Sequence, residues 1–128
     1  TAAANALDDY EEGTWTPTNN GGTVTISTIN NANYTKIGNI VTLSCYITLS
    51  SNGDATPFEI SGLPYNSGAG VHDTNIADVA GFGGDVPAYV RITGNSTILR
   101  VYKGCFVRAN ENEIDGNHFI FGLTYITT

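Results

Sequence analysis

The chain reads as an all-β domain, an antiparallel β-sandwich of jelly-roll-like form, and three observations predict it. Residues 39–50 alternate Val41, Leu43, Cys45, Ile47 and Leu49 with Thr42, Ser44, Tyr46, Thr48 and Ser50, the period of two of a strand with one buried face. No window of useful length carries apolar residues at helical spacing, while the β-favouring Thr, Val, Ile and Tyr are abundant. Gly, Asn, Asp and Pro divide the chain into about seven or eight short segments, the rhythm of a two-sheet antiparallel fold.

Taken in order, residues before Asp9 are Ala-rich and are the one stretch expected to be helical. Val24 and Ile26 among Thr residues predict a strand over 23–29, and the turn-forming Asn30, Asn31 and Asn33 are expected to separate it from a second over 34–37. Gly38 and Asn39 then predict a tight reversal into the long strand. A short strand over 57–61 ends at Gly62-Leu63-Pro64. Segments 88–93 and 98–103 flank Gly94-Asn95-Ser96-Thr97 and read as a hairpin. The last strand spans about 118–126. Phe119, Phe121, Leu123 and Tyr125 lie on one of its faces, Ile120 and Ile126 on the other. Such a strand is either covered on both sides within the chain or buried against another subunit. The second alternative marks Phe119, Ile120, Phe121, Tyr125 and Ile126 as interface candidates.

With 128 residues the chain is expected to form one core, residues 13–128, after a linker or stem end at 1–12. Only 13% of residues are charged, and twelve carboxylates against five Lys and Arg give a net charge of −7. Nucleic acid is therefore not the expected partner. No apolar run reaches the ~20 residues of a membrane-spanning helix, and the first residues lack the pattern of a secretory signal. Membrane insertion is not expected. Met is absent throughout, so the chain is expected to be part of a longer polypeptide. Cys45 and Cys105 are expected to be free thiols in or near the core, as suits assembly in a reducing cytoplasm.

The segment Leu7-Asp8-Asp9-Tyr10-Glu11-Glu12-Gly13-Thr14-Trp15-Thr16-Pro17 resembles the block that opens the C-terminal domain of bacteriophage tail fibres and tailspikes. Tyr34-Thr35-Lys36-Ile37-Gly38-Asn39-Ile40-Val41 looks like a second block of that family, Ile60-Ser61-Gly62-Leu63-Pro64-Tyr65 like a third, and Tyr125-Ile126-Thr127 like its ending. The resemblance implies a homotrimeric domain at the distal end of a fibre or spike in the virion tail. It would be assembled in the bacterial host cytoplasm, and would trimerise the fibre and contact host surface polysaccharide.

The chemistry-bearing residues carry no enzyme signature. Asp54, Glu59, Asp73, Asp78 and Asp85 supply acids without a spacing that singles out a glycosidase pair. If the parent protein degrades polysaccharide, that site is expected upstream. No cofactor fingerprint is present, and no metal site is expected. Asp8, Asp9, Glu11 and Glu12 read as a solvated or salt-bridged run, and 110–117 as a polar hairpin loop that fails EF-hand spacing at Ile114. Trp15 reads as a packing anchor. The long irregular stretch 64–87 is the expected recognition surface. It offers Tyr65, His72, Asp73, Asn75, Phe82 and Asp85 to sugar hydroxyls and ring faces, with an extra short strand at 76–80 as the competing reading.

Overall fold

A computed structural model of the chain describes residues 9–79, 89–103 and 107–128, with the backbone alone for 71–79. Among these residues there are nine strands: β1 (Tyr10–Thr14), β2 (Thr18–Asn19), β3 (Ile26–Ile37), β4 (Ile40–Leu49), β5 (Glu59–Ser61), β6 (Val71–Val79), β7 (Tyr89–Thr93), β8 (Leu99–Tyr102) and β9 (His118–Ile126). One helical turn, α1 (Glu111–Ile114), interrupts them. The strands lie in the order β1-β3-β4-β9-β6-β7-β8-β5-β2. Every pairing between them is antiparallel.

β6 joins the two halves of this sheet. Its first part pairs with β7, from Val71↔Thr93 to Asn75↔Tyr89. Its second part pairs with β9, from Ile76↔Phe121 to Val79↔Phe119. β9 thus lies beside β6, followed by β7 and β8, the order of a Greek key in which a fourth strand returns beside the first. The halves close over one cluster of buried residues. β4 gives Val41, Leu43, Cys45, Ile47 and Leu49, β9 gives Phe119, Phe121, Leu123 and Tyr125, and β7, β8 and β5 give Val90, Ile92, Leu99, Val101 and Ile60. The Phe58 and Phe119 rings meet edge-on at 6.0 Å, a favoured aromatic geometry.

The alternation in β4 is realised residue by residue, its odd-numbered positions from Val41 to Leu49 being buried. Cys45 is a free thiol, and burial pushes its pKa up to about 12. Cys105 lies outside the described residues. The 88–103 hairpin and the Gly38-Asn39 reversal also form, with Val90↔Val101 and Ile37↔Ile40 as partners. Trp15 is 5% exposed and donates its indole N–H to the Ser44 carbonyl at 3.2 Å, so it packs inward.

Four expectations about local structure and boundaries are corrected. The Asn-rich segment is no turn: β3 runs through it as one strand, absorbing the irregularity as register shifts between Ile26 and Thr28 and between Ile29 and Asn31. The long β4 ladder supplies partners that outweigh turn propensity, and the Asn31 amide donates to Ser44 Oγ at 2.9 Å. Within 64–87 the competing reading of an extra strand is the one that holds, and β6 begins earlier than expected, at Val71, and runs to Val79. Loop 110–117 contains α1, whose first turn is closed by the Asn110 N–H donating to Glu113 Oε1 at 3.1 Å. The expected start of the domain at residue 13 falls inside β1, where Tyr10, Glu11 and Glu12 already pair with Ile37, Lys36 and Thr35.

Gly62, just after β5, lies close against the backbone at Thr16. Its φ of +96° is in the left-handed region, and a Cβ built there would lie 2.2 Å from the Thr16 carbonyl oxygen. A Gly62→Ala substitution is expected to destabilise the domain by about 2 kcal/mol, from the conformational cost and the steric shift together. Urea denaturation of both chains checks this.

Candidate functional site

The four blocks that carry the family resemblance are far apart in sequence and meet at one end of the sheet. β1 pairs with β3, so Glu11 faces Lys36 and Gly13 faces Tyr34. The Tyr34 hydroxyl donates to Glu11 Oε1 at 2.6 Å, and the Tyr65 hydroxyl lies near enough to the same carboxylate to influence its titration. The Tyr34 and Tyr65 rings meet edge-on at 5.7 Å. Lys36 Nζ sits 5.6 Å from the Tyr65 ring centre. Tyr125 donates its hydroxyl to the Tyr65 carbonyl at 2.9 Å. A Glu from the first block, two residues of the second, one of the third and one of the last thus form one network.

The electrostatics follow from those contacts. The Tyr34 hydrogen bond and then the Tyr65 hydroxyl hold the Glu11 carboxyl below its ordinary value. Both phenols are pushed up in return, chiefly by Glu11. The network fastens the edge strand to the body of the domain.

A second carboxylate is sealed at the opposite end. Glu111 is wholly buried. Its Oε1 accepts from Asn19 Nδ2 at 2.6 Å and the Gly22 N–H at 3.1 Å, and its Oε2 from the Val24 N–H at 3.0 Å. A buried charge is tolerable where donors surround it in this way. The neighbouring loop acids are also engaged. Asp54 accepts from the Thr56 N–H at 2.8 Å, which holds its carboxyl below the ordinary value. Asp115 takes the Gly53 N–H at 2.8 Å, and Glu113 pairs with Lys103 at 2.7 Å. The oxygen-rich look of 110–117 therefore reflects a knot that ties α1 to the loops at 19–24 and 53–56. Among the described residues no three ligating side chains gather into a metal site.

The residues expected to bind a ligand are dispersed. Tyr65 stands in the Glu11 network. His72, Asp73 and Asn75 occupy β6, in register with Ile92, Arg91 and Tyr89. Phe82 and Asp85 lie outside the described residues, as does Asp8. Of the interface candidates, Phe119, Phe121 and Tyr125 are covered by the chain's own core, whereas Ile126 is 48% exposed and Ile120 half-buried on the other side of β9.

That other side is the outer face of β1-β3-β4-β9, and it is organised in rows. Tyr10, Ile37, Ile40 and Ile126 are successive cross-strand partners, and each is 45–49% exposed. The next rows are Glu12-Thr35-Thr42-Thr124, Thr14-Asn33-Ser44-Gly122 and Asn31-Tyr46-Ile120. At a strand spacing of about 4.8 Å the apolar row is about 14 Å wide. Glu12 is the only carboxylate in these four rows. Alternation in β4 and β9 foretold which residues share this face. The alignment of Tyr10 with them required the pairing of β1, whose first three residues sequence reasoning assigned to a linker.

Two outcomes follow. Glu111→Ala is expected to cost about 3 kcal/mol or more by stranding the Gly22 and Val24 N–H groups, with Glu111→Gln milder because one acceptor remains; urea denaturation separates them. Glu11, Glu113 and Asp54 have folded-state values below their unfolded ones, so their stabilisation is complete above about pH 4.5 and is lost as pH falls through the lower folded values. The melting temperature is therefore expected to drop on acidification below about pH 4.5, and to drop less in Glu11→Gln. Comparison of the chain with protein-family models, curated proteins and solved structures found no match.

Proposed function

We propose that the chain is the distal C-terminal domain of a phage tail fibre or tailspike, a jelly-roll-like sandwich that joins three copies and attaches to host surface glycan. The observation that carries self-assembly is the exposed row Tyr10-Ile37-Ile40-Ile126 on a face otherwise built mostly of Thr, Ser, Asn and Gly, with Tyr46, Ile120 and the single carboxylate Glu12. In a chain of net charge −7, a broad face with one carboxylate is where copies meet with least repulsion. The number three comes from the resemblance. The convergence of all four resembling blocks in one network supports reading them as one structural signature.

A purely structural role is the second reading, and Tyr65 favours it. Tyr65 is the one member of the expected ligand set whose side chain is described, and its hydroxyl, ring and carbonyl all serve contacts within the domain. Neither reading assigns catalysis to this chain. Cleavage of host polysaccharide by the isolated domain would refute both.

Light scattering at micromolar concentration is expected to return about three times the 13.5 kDa chain mass. Ile40→Asp combined with Ile126→Asp should return the single-chain mass with an unchanged circular dichroism spectrum. A wild-type mass of one chain removes the trimer. Labelled domain that fails to bind host cells bound by the intact fibre selects the structural reading.

A further inference from the structure

The crossing of the chain between the two halves of the sheet leaves an opening beside β3. β1 runs with β3 as far as Thr14↔Asn33, and the Trp15 N–H still donates to the Ala32 carbonyl at 3.0 Å. Pro17 then has no N–H with which to continue the ladder. The chain turns across to the other half, where Thr18 and Asn19 form β2 against β5. Among the described residues the first part of β3, from Ile26 to Asn31, therefore has β4 as its sole strand partner. Between it and the crossing chain lies a cavity of about 490 Å³, within the size range of small-ligand sites.

The opening exposes a residue that belongs to the interior. Ile29 is the cross-strand partner of Ile47, which is fully buried, so both point to the core side of the sheet. Ile29 is nevertheless 44% exposed. Ile26, opposite Leu49, packs partly on the core, and with Pro17 and Val24 it makes an apolar floor. The rim is threonine. Thr18 and Thr23 have partners within the chain, Ser61 Oγ at 2.6 Å and the Asn52 carbonyl at 2.5 Å. The hydroxyls of Thr16 and Thr25 make no hydrogen bond to another described residue. Among the described residues no charged side chain lines the cavity. One wall, residues 19–24, is held by the Asn19 amide, which donates to the Gly22 and Val24 carbonyls at 3.3 Å and 2.7 Å and to the buried Glu111 at 2.6 Å. That wall is thus preformed. Ordinary packing explains Pro17 and Val24, which are buried. It does not explain a core-side isoleucine left open beside unbonded hydroxyls.

We propose that this cavity binds a neutral sugar residue of a glycan. A pyranose ring combines apolar C–H faces with a girdle of hydroxyls, and the cavity answers it with isoleucine and proline on the floor and threonine hydroxyls on the rim. The uncharged lining sets the charge of the ligand, because a carboxylate or an ammonium would be desolvated here with no counter-charge. The cavity shares no residue with the outer row Tyr10-Ile37-Ile40-Ile126, so binding does not compete with assembly through that row. The inference rests on the glycan-binding reading, to which it adds a site and the charge class of the sugar.

The probes are the methyl glycosides of glucose, galactose and mannose, titrated into the millimolar range against the full chain and followed by amide chemical shifts, with glucuronate as the charged control. At least one neutral glycoside is expected to shift the amides of Thr16, Thr25 and Ile29 saturably and independently of salt, and glucuronate is expected to leave them unmoved. Ile29→Asp should weaken that binding at least about tenfold. Thr16→Val with Thr25→Val, which keeps the shape and removes two hydroxyls, should weaken it severalfold. Melting temperature confirms that each variant is folded, and the threonine pair decides if Ile29→Asp is not. Shifts from none of the neutral glycosides, or equal affinity in the folded variants, overturn the proposal. So does a fall in the light-scattering mass of folded Ile29→Asp, since the opening is then a contact between copies. Host-cell adhesion retained by a folded variant that has lost glycoside binding removes this cavity from host attachment and leaves the glycan reading intact. Glycoside binding by a wild-type chain that does not adhere to host cells sinks host attachment and leaves the cavity standing.

Discussion

The placement of β9 is the constraint on which the rest of the structure depends. The last strand must enter between β4, some eighty residues earlier, and β6, and until it does neither neighbour has its full complement of backbone partners. Its register with β4, from Ile40↔Ile126 to Thr48↔His118, decides everything about the two sides of the sheet. A slip of one residue would expose Phe119, Phe121, Leu123 and Tyr125 and bury Ile120, Gly122, Thr124 and Ile126. The core and the outer rows are therefore two consequences of one pairing. Such non-local pairing makes closure of the sheet a late and slow event in folding.

The two carboxylates act as fasteners at the margins of that sheet. β1 is an edge strand of five residues with little apolar side chain to bury, so pairing alone holds it weakly. Glu11 adds a charged acceptor for the Tyr34 hydroxyl, close to that of Tyr65, and Tyr125 of β9 reaches the Tyr65 carbonyl. Ordering of β1 is thereby coupled to the seating of β9. Glu111 does the corresponding work for the loops at the other end, where short segments without a ladder need an acceptor for the Gly22 and Val24 N–H groups. The chain contains few charges, and these two are spent on backbone and phenol donors rather than on solvent.

How far the sequence announced this depended on whether a feature was local. β4, β9 and the 88–103 hairpin were legible because alternation along one strand reports its own burial. β3 was hidden by its asparagines, since Asn30, Asn31 and Asn33 favour turns until a long partner strand offers them Ser44 and Thr48. The continuous strand β6 was obscured because it lies among glycines, in a segment whose apolar residues are sparse. Glu111 carries no signature, because its partners are the Asn19 amide and the backbone N–H groups of Gly22 and Val24, some ninety residues away in sequence. The arginine and tyrosine pairs on the outer side of β7 and β8 were within reach. In an antiparallel hairpin, residues equidistant from the loop are partners, and Tyr89 with Tyr102 and Arg91 with Arg100 satisfy that relation about the predicted turn.

The division of chemistry between the two outer faces bears on how copies assemble. A face for joining copies must be broad, flat and poor in charge. Placing the arginines of β7 and β8 on that face would desolvate them against the approaching copies. Here the charge-poor rows, with Glu12 as their one carboxylate, belong to β1-β3-β4-β9, and the arginines to β7-β8-β5. In the proposed trimer, with the first face turned inward, three copies of the second would be displayed outward.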